Sequence, residues 1–114
     1  MDFTVKQIEL TSIVTTNVEK LNATNASDLK AELAVLNKKN INNIVIDMSK
    51  TKYCDSSGLS AILLANRLCK DTNGKFVLCG LQSNVQKLIE IAQLDRVLSI
   101  AKNESEAMEV IVNS

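Results

Sequence analysis

Short β-branched runs alternate with segments of helical period along this 114-residue chain, and that alternation narrows the fold more than any other feature. Val5, Ile8, Leu10, Ile13 and Val14 lie in β-branched surroundings interrupted near residues 9–12, which predicts two short strands or a hairpin. Leu29, Leu33 and Leu36 then follow at helical spacing, with Asn25 and Asp28 at the expected N-terminus. Ile44-Val45-Ile46 reads as a buried central strand. A second helix should begin at Ser56-Ser57-Gly58, with Leu59, Ile62, Leu63, Asn66 and Cys69 along its inner face. Asn73-Gly74 turns the chain, Lys75-Phe76-Val77-Leu78-Cys79 is a further buried strand, and Gly80 ends it. Ser83 with Gln86 forms a capping-box pattern before a third helix carrying Val85, Leu88, Ile89 and Ala92. Val97-Leu98-Ser99-Ile100 reads as a strand, and Asn103 with Glu106 opens a last helix carrying Ala107, Val110 and Ile111. The expected order is β-β-α-β-α-β-α-β-α, an α/β fold in which helices pack on a mixed sheet.

Length and composition restrict the function. A chain of 114 residues that is 46% hydrophobic and 23% charged suits one domain, residues 1–114, with a core that needs neither disulfides nor metal. Thirteen basic and thirteen acidic residues cancel, which weighs against direct nucleic-acid binding, and three aromatic residues make no stacking surface. Histidine is absent, which removes imidazole catalysis and the commonest zinc ligand. Cys54, Cys69 and Cys79 form no C-x-x-C pair and read as small apolar residues in a reducing compartment, with Cys54 the more accessible. No signal peptide and no membrane-length apolar run are seen, so a soluble, cytoplasmic protein that acts away from membranes is expected.

One segment has chemical potential. Residues 47–59 join a buried strand to an apolar helix, at the carboxyl end of a strand where α/β sheets commonly carry sites. Ser56 is expected at the N-cap of that helix, its hydroxyl accepting a backbone N–H, with Asp55 beside it. Gly58, just inside the helix, costs up to about 1 kcal/mol relative to alanine. It therefore suggests the close approach of a partner backbone or a phosphate. A phosphate on Ser56 would face free N–H groups at the positive end of the helix dipole. No G-x-S-x-G or S-x-x-K pattern surrounds Ser56, so a nucleophilic serine is not indicated.

Asp55-Ser56-Ser57-Gly58-Leu59, followed by Ile62-Leu63, resembles the signature of STAS domains, the anti-sigma factor antagonist family. Residues 21–26, 44–48 and 76–100 resemble that family's flanking regions in the same order, and the resemblance spans about residues 3–112. It implies a mixed β-sheet with about four helices packed chiefly on one face. It also implies a non-enzymatic protein without cofactor or metal, controlled by phosphorylation of Ser56. The implied partners are an anti-sigma factor that is also a serine kinase, and a serine/threonine phosphatase of the metal-dependent class. The unphosphorylated form would bind the anti-sigma factor and so free a sigma factor. The expected partner surface is the start of the second helix and its neighbouring loops, with Asn22, Asn25, Asp55, Ser57 and Gly58. The family usually has aspartate where this chain has Asn22, which keeps the hydrogen-bonding shape and loses the charge. A carboxylate needed there would leave phosphorylation slower or differently regulated. The alternative is a STAS scaffold subunit of a larger regulatory or transport assembly that is never phosphorylated.

Overall fold

In a computed structural model that describes residues 2–113, the chain forms seven strands and four α-helices. β1 (Phe3–Ile8) and β2 (Thr11–Thr16) make the expected antiparallel hairpin, with Phe3 opposite Thr16 and Ile8 opposite Thr11. Glu9, at φ 55°, turns it. β4 (Asn43–Asp47), β6 (Phe76–Cys79) and β7 (Ser99–Ala101) extend the sheet in parallel, in the order β1-β2-β4-β6-β7. The carboxyl ends of β2, β4, β6 and β7 therefore lie at one edge, and the hairpin turn lies at the other.

Helices α1 (Ala26–Lys38), α2 (Ser56–Asp71) and α3 (Ser83–Ile91) bury one face of this sheet. Leu29, Leu33 and Leu36 of α1 join Val14, Ile44, Ile46, Ile62, Leu78, Val85 and Ile89 in the larger core. α4 (Glu104–Val112) covers the opposite face, where Ala107 and Ile111 meet Ile13, Val45, Val77 and Cys79. The alternation along β2 and β4 sends successive side chains to the two cores, as the pleat requires.

Three expectations need correction. α2 does not turn its leucines fully inward. Gly58, Ala61, Ile62, Ala65 and Cys69 are its buried residues, Leu59 and Asn66 are half-buried, and Leu63 is 37% exposed. Small residues let the helix axis come close to the sheet, where a leucine would hold it off. The Ser83–Gln86 capping box does not form: α3 starts at Ser83, its N-cap position is Gln82, and no side chain caps it. Val97 is 52% exposed after a 3₁₀ turn at Leu94–Arg96, so the last strand begins two residues later than expected. Asn103, by contrast, does cap α4. Its Oδ1 accepts the Glu106 N–H at 2.9 Å, and Glu106 Oε1 accepts the Lys102 N–H at 3.4 Å.

Candidate functional site

Two strands too short to show periodicity position the site. β3 (Lys20–Leu21) and β5 (Tyr53–Cys54) form a separate parallel pair, Lys20 opposite Tyr53 and Leu21 opposite Cys54. The backbone N–H groups of Lys52 and Tyr53 donate to Glu19 O at 2.8 and 3.0 Å, and that of Asp55 donates to Leu21 O at 3.2 Å. These bonds hold the chain just before α2 against the loop that enters α1.

The intervening loop is anchored from inside. The Thr51 hydroxyl donates to Val18 O at 2.7 Å and lies 2.6 Å from the Thr16 hydroxyl, from which it accepts. Both threonines are buried. The Ser49 N–H donates to Asp47 Oδ1 at 2.9 Å, and Gln82 Nε2 donates to Ser49 O at 2.7 Å.

The expected site residues converge here, with different roles from those the sequence suggested. Asp55, not Ser56, is the N-cap of α2: its Oδ1 accepts the N–H groups of Ser57 at 2.9 Å and Gly58 at 3.1 Å. Ser56 is the first helical residue. It is exposed, and its hydroxyl makes no hydrogen bond among the described residues. The helix amides expected to be free for a phosphate are thus already held by a carboxylate. Ser57 is half-buried and shares the border of a cavity with Ser56.

Asn25 occupies the N-cap position of α1 without capping it by its side chain. Its Oδ1 accepts the Asn22 N–H at 3.0 Å, and its Nδ2 donates to Lys20 O at 2.9 Å. Asn22 Oδ1 accepts the Thr24 N–H at 3.0 Å, a local turn bond of the kind asparagine favours. Both asparagines shape the loop against β3.

Gly58 is not an open point of approach. It is buried, and a Cβ there would lie 2.5 Å from Cys54 Sγ and 2.8 Å from Leu21 O. The close contact that demands glycine is within the chain. Cys54 is half-buried, the most accessible of the three cysteines as expected, and packs against the larger core; burial, with the Asp55 charge adding to it, pushes its thiol up to about 12. Burial likewise pushes Cys69 to about 11 and Cys79 to about 12, which matches their buried positions.

Two residues here, Lys30 and Arg67, escaped sequence reasoning, and Leu59 and Leu63 were expected on the inner face of the helix instead. Lys30, Leu59, Leu63 and Arg67 line a cavity of about 520 Å³ with Ser56 and Ser60, between α1 and α2. A second cavity, of about 330 Å³, is lined by Ala23, Ala26, Ser27, Lys30, Ser56, Ser57 and Ser60. The signal was available: Ser56, Leu59, Ser60, Leu63 and Arg67 recur at helical spacing, a stripe distinct from Gly58, Ala61, Ile62 and Ala65. Tyr53, 46% exposed, also borders the site, with Lys20 Nζ 5.9 Å from its ring centre. No group of acidic, cysteine or histidine side chains among the described residues could hold a metal ion.

With this geometry in place, the STAS domain profile matches residues 2–107 of the chain. The chain belongs to the STAS domain family. This STAS domain is 31% identical, over 76% of its length and 75% of the relative's, to BtrV of Bordetella bronchiseptica, described as an anti-sigma factor antagonist. A crystal structure from Thermotoga maritima, likewise described as an anti-sigma factor antagonist, is 28% identical. It superposes with a TM-score of 0.89 over 96% of this chain and 93% of that one. The same fold recurs at 17% identity in the phosphorylated form of the Bacillus cell fate determinant SpoIIAA, with a TM-score of 0.75, over 96% of this STAS domain and 98% of that chain. No helix among the described residues is long and apolar enough to cross a membrane.

Proposed function

We propose that this STAS domain is an anti-sigma factor antagonist whose hold on an anti-sigma factor is released by phosphorylation of Ser56. The observation that carries the reading is the state of the Ser56 hydroxyl: exposed, unbonded, and fixed at the first turn of a helix by a neighbour that does the capping. Ser57 is less open. The partner is then both the kinase and the anti-sigma factor, and a serine/threonine phosphatase restores the binding form. The domain acts by binding rather than by catalysis, in the cytoplasm and without touching nucleic acid.

The switch has a simple electrostatic basis. A phosphate adds about −1.5 to −2 charges and three acceptor oxygens. Because the Asp55 carboxylate already holds the nearby amides, the new dianion stands beside an existing negative charge instead of being absorbed by the helix end. A surface formed by Asn22, Asn25, Asp55, Ser57 and Tyr53 changes sign of fit at its centre, and a partner complementary to the uncharged serine is rejected. Gly58 contributes beneath this surface by letting Leu21 and Cys54 pack close.

The test is kinase-dependent mass gain in the wild type, Ser56→Ala and Ser57→Ala, with partner binding measured in parallel. One phosphate on wild type and Ser57→Ala, none on Ser56→Ala, and retained binding by Ser56→Ala are expected. Incorporation that persists in Ser56→Ala and vanishes in Ser57→Ala overturns the assignment. Unmodified protein in all three cases, with the correct kinase, points to the constitutive scaffold, which the uncharged Asn22 would suit.

A further inference from the structure

We propose that Lys30 of α1 is the intramolecular counter-ion of phosphorylated Ser56, drawing the phosphate into the groove between α1 and α2. The inference rests on phosphorylation at Ser56 and adds how the chain itself receives that charge.

The Ser56 hydroxyl has unlike neighbours on its two sides. On the chain side stands Asp55, whose carboxylate takes the Ser57 and Gly58 amides, so the helix end offers a phosphate little. On the groove side, Ser56 borders both cavities, and so does Lys30. Arg67 borders only one of them. It lies eleven residues along α2 from Ser56, about 16 Å at the helical rise. Lys30 is therefore the cation placed to meet a phosphate at Ser56.

Lys30 is also unusual in its present state. It is half-buried on the side of α1 that faces α2, yet it makes no ion pair or hydrogen bond among the described residues. An ammonium beside this groove without a counter-ion is open to pair with an arriving dianion. Ser27 and Ser60, on opposite walls of the same cavity, add hydroxyl donors around the phosphate oxygens. The result is an ionic tie across two helices that the unmodified protein lacks.

The experiment installs phosphoserine at position 56 by genetic encoding, so that no kinase is needed, and follows the phosphorus-31 chemical shift against pH. An adjacent ammonium favours the dianion, so the phosphate should titrate about half to one pH unit lower in wild type than in Lys30→Met. Lys30→Arg should restore the shift, and Arg67→Met should leave it unchanged. Lys30→Gln serves as the neutral variant if Lys30→Met proves unfolded by circular dichroism. Identical titration with and without the Lys30 charge overturns the proposal, as does a shift that follows Arg67 instead. A partner kinase that leaves Ser56 unmodified would sink the functional reading while this titration still reports on Lys30, so the two failures are distinguishable.

Discussion

The exchange of roles between Asp55 and Ser56 has measurable consequences. Asp55→Ala strips the acceptor from two helix amides and should cost about 0.5–2 kcal/mol, the usual range for a lost N-cap. Ser56→Ala removes an exposed, unbonded hydroxyl and should stay within about 0.5 kcal/mol of wild type. Urea denaturation of both variants decides between them, and equal losses would return the cap to Ser56. Gly58→Ala tests the close packing beneath. Its new methyl meets a backbone carbonyl and a sulfur at 2.8 and 2.5 Å. Overpacking of this kind costs about 1–3 kcal/mol, more than the up to about 1 kcal/mol gained in helix propensity. A lowered melting temperature is expected, and a raised one would show that Leu21 and Cys54 yield easily. At this scale the sequence showed which residues assemble but not what each does. Aspartate and serine are almost equally good caps, so two adjacent candidates cannot be separated without the backbone angles. Glycine signals a close approach without saying whether the approaching atoms belong to the same chain.

At the level of elements, the inner face of α1 was legible because its leucines recur at helical spacing, and the hairpin and central strands because they are short β-branched or continuously apolar runs between turn residues. β3 and β5 were not, because two residues carry no period. Yet this pair fixes the site, and its integrity depends on Thr51. Thr51→Val keeps the shape and removes the donor to Val18 O and the acceptor for the Thr16 hydroxyl. Leaving a half-buried carbonyl without its donor costs up to about 1–3 kcal/mol. Hydrogen exchange at the Lys52 and Tyr53 amides should accelerate more than exchange in β4 or β6, since the damage is local to the clasp. Uniform acceleration across the sheet would mean that the threonine pair supports the whole fold instead. The misread face of α2 has a related cause. Ranking positions by hydrophobicity favours leucine, whereas tight contact between helix and sheet favours glycine and alanine, and the displaced leucines are left to line a groove.

For the molecule as a whole, a carboxyl pair joins elements far apart in sequence. Glu104 at the start of α4 can, when protonated, hydrogen-bond the Asp47 carboxylate at the end of β4, and it lies 3.2 Å from Lys6 Nζ of β1. Its carboxyl is raised above the usual range, first by that hydrogen bond and then by burial, with Lys6 opposing. Burial acts to raise Asp47 too, but hydrogen bonds from Glu104 and Ser49 and the charge of Lys50 outweigh it and hold it low. The stabilisation from Glu104 is complete below its unfolded value and is lost as pH rises through the raised folded value; that from Asp47 is present above its unfolded value and is lost as pH falls through the depressed one. The pair therefore stabilises the fold most between those two folded values, where Glu104 keeps its proton and Asp47 does not. Glu104→Gln supplies a permanent donor, so the decline on the alkaline side of that window should flatten in melting curves recorded against pH. An unchanged slope would exclude the shared proton.

The β3–β5 clasp also determines where the chain can grow. Between Asp47, held in the main sheet, and Tyr53, held in the small one, the path is fastened at Ser49, Thr51 and Lys52. One residue more in that span would slip the register and present Asp55 where Ser56 now stands, and one residue fewer would present Ser57. The exposed Glu9–Leu10 turn at the opposite end of the sheet has no such coupling. Length variation should therefore be tolerated at the hairpin and selected against before α2, so that the spacing between two sheets, as much as any side chain, defines which serine is offered.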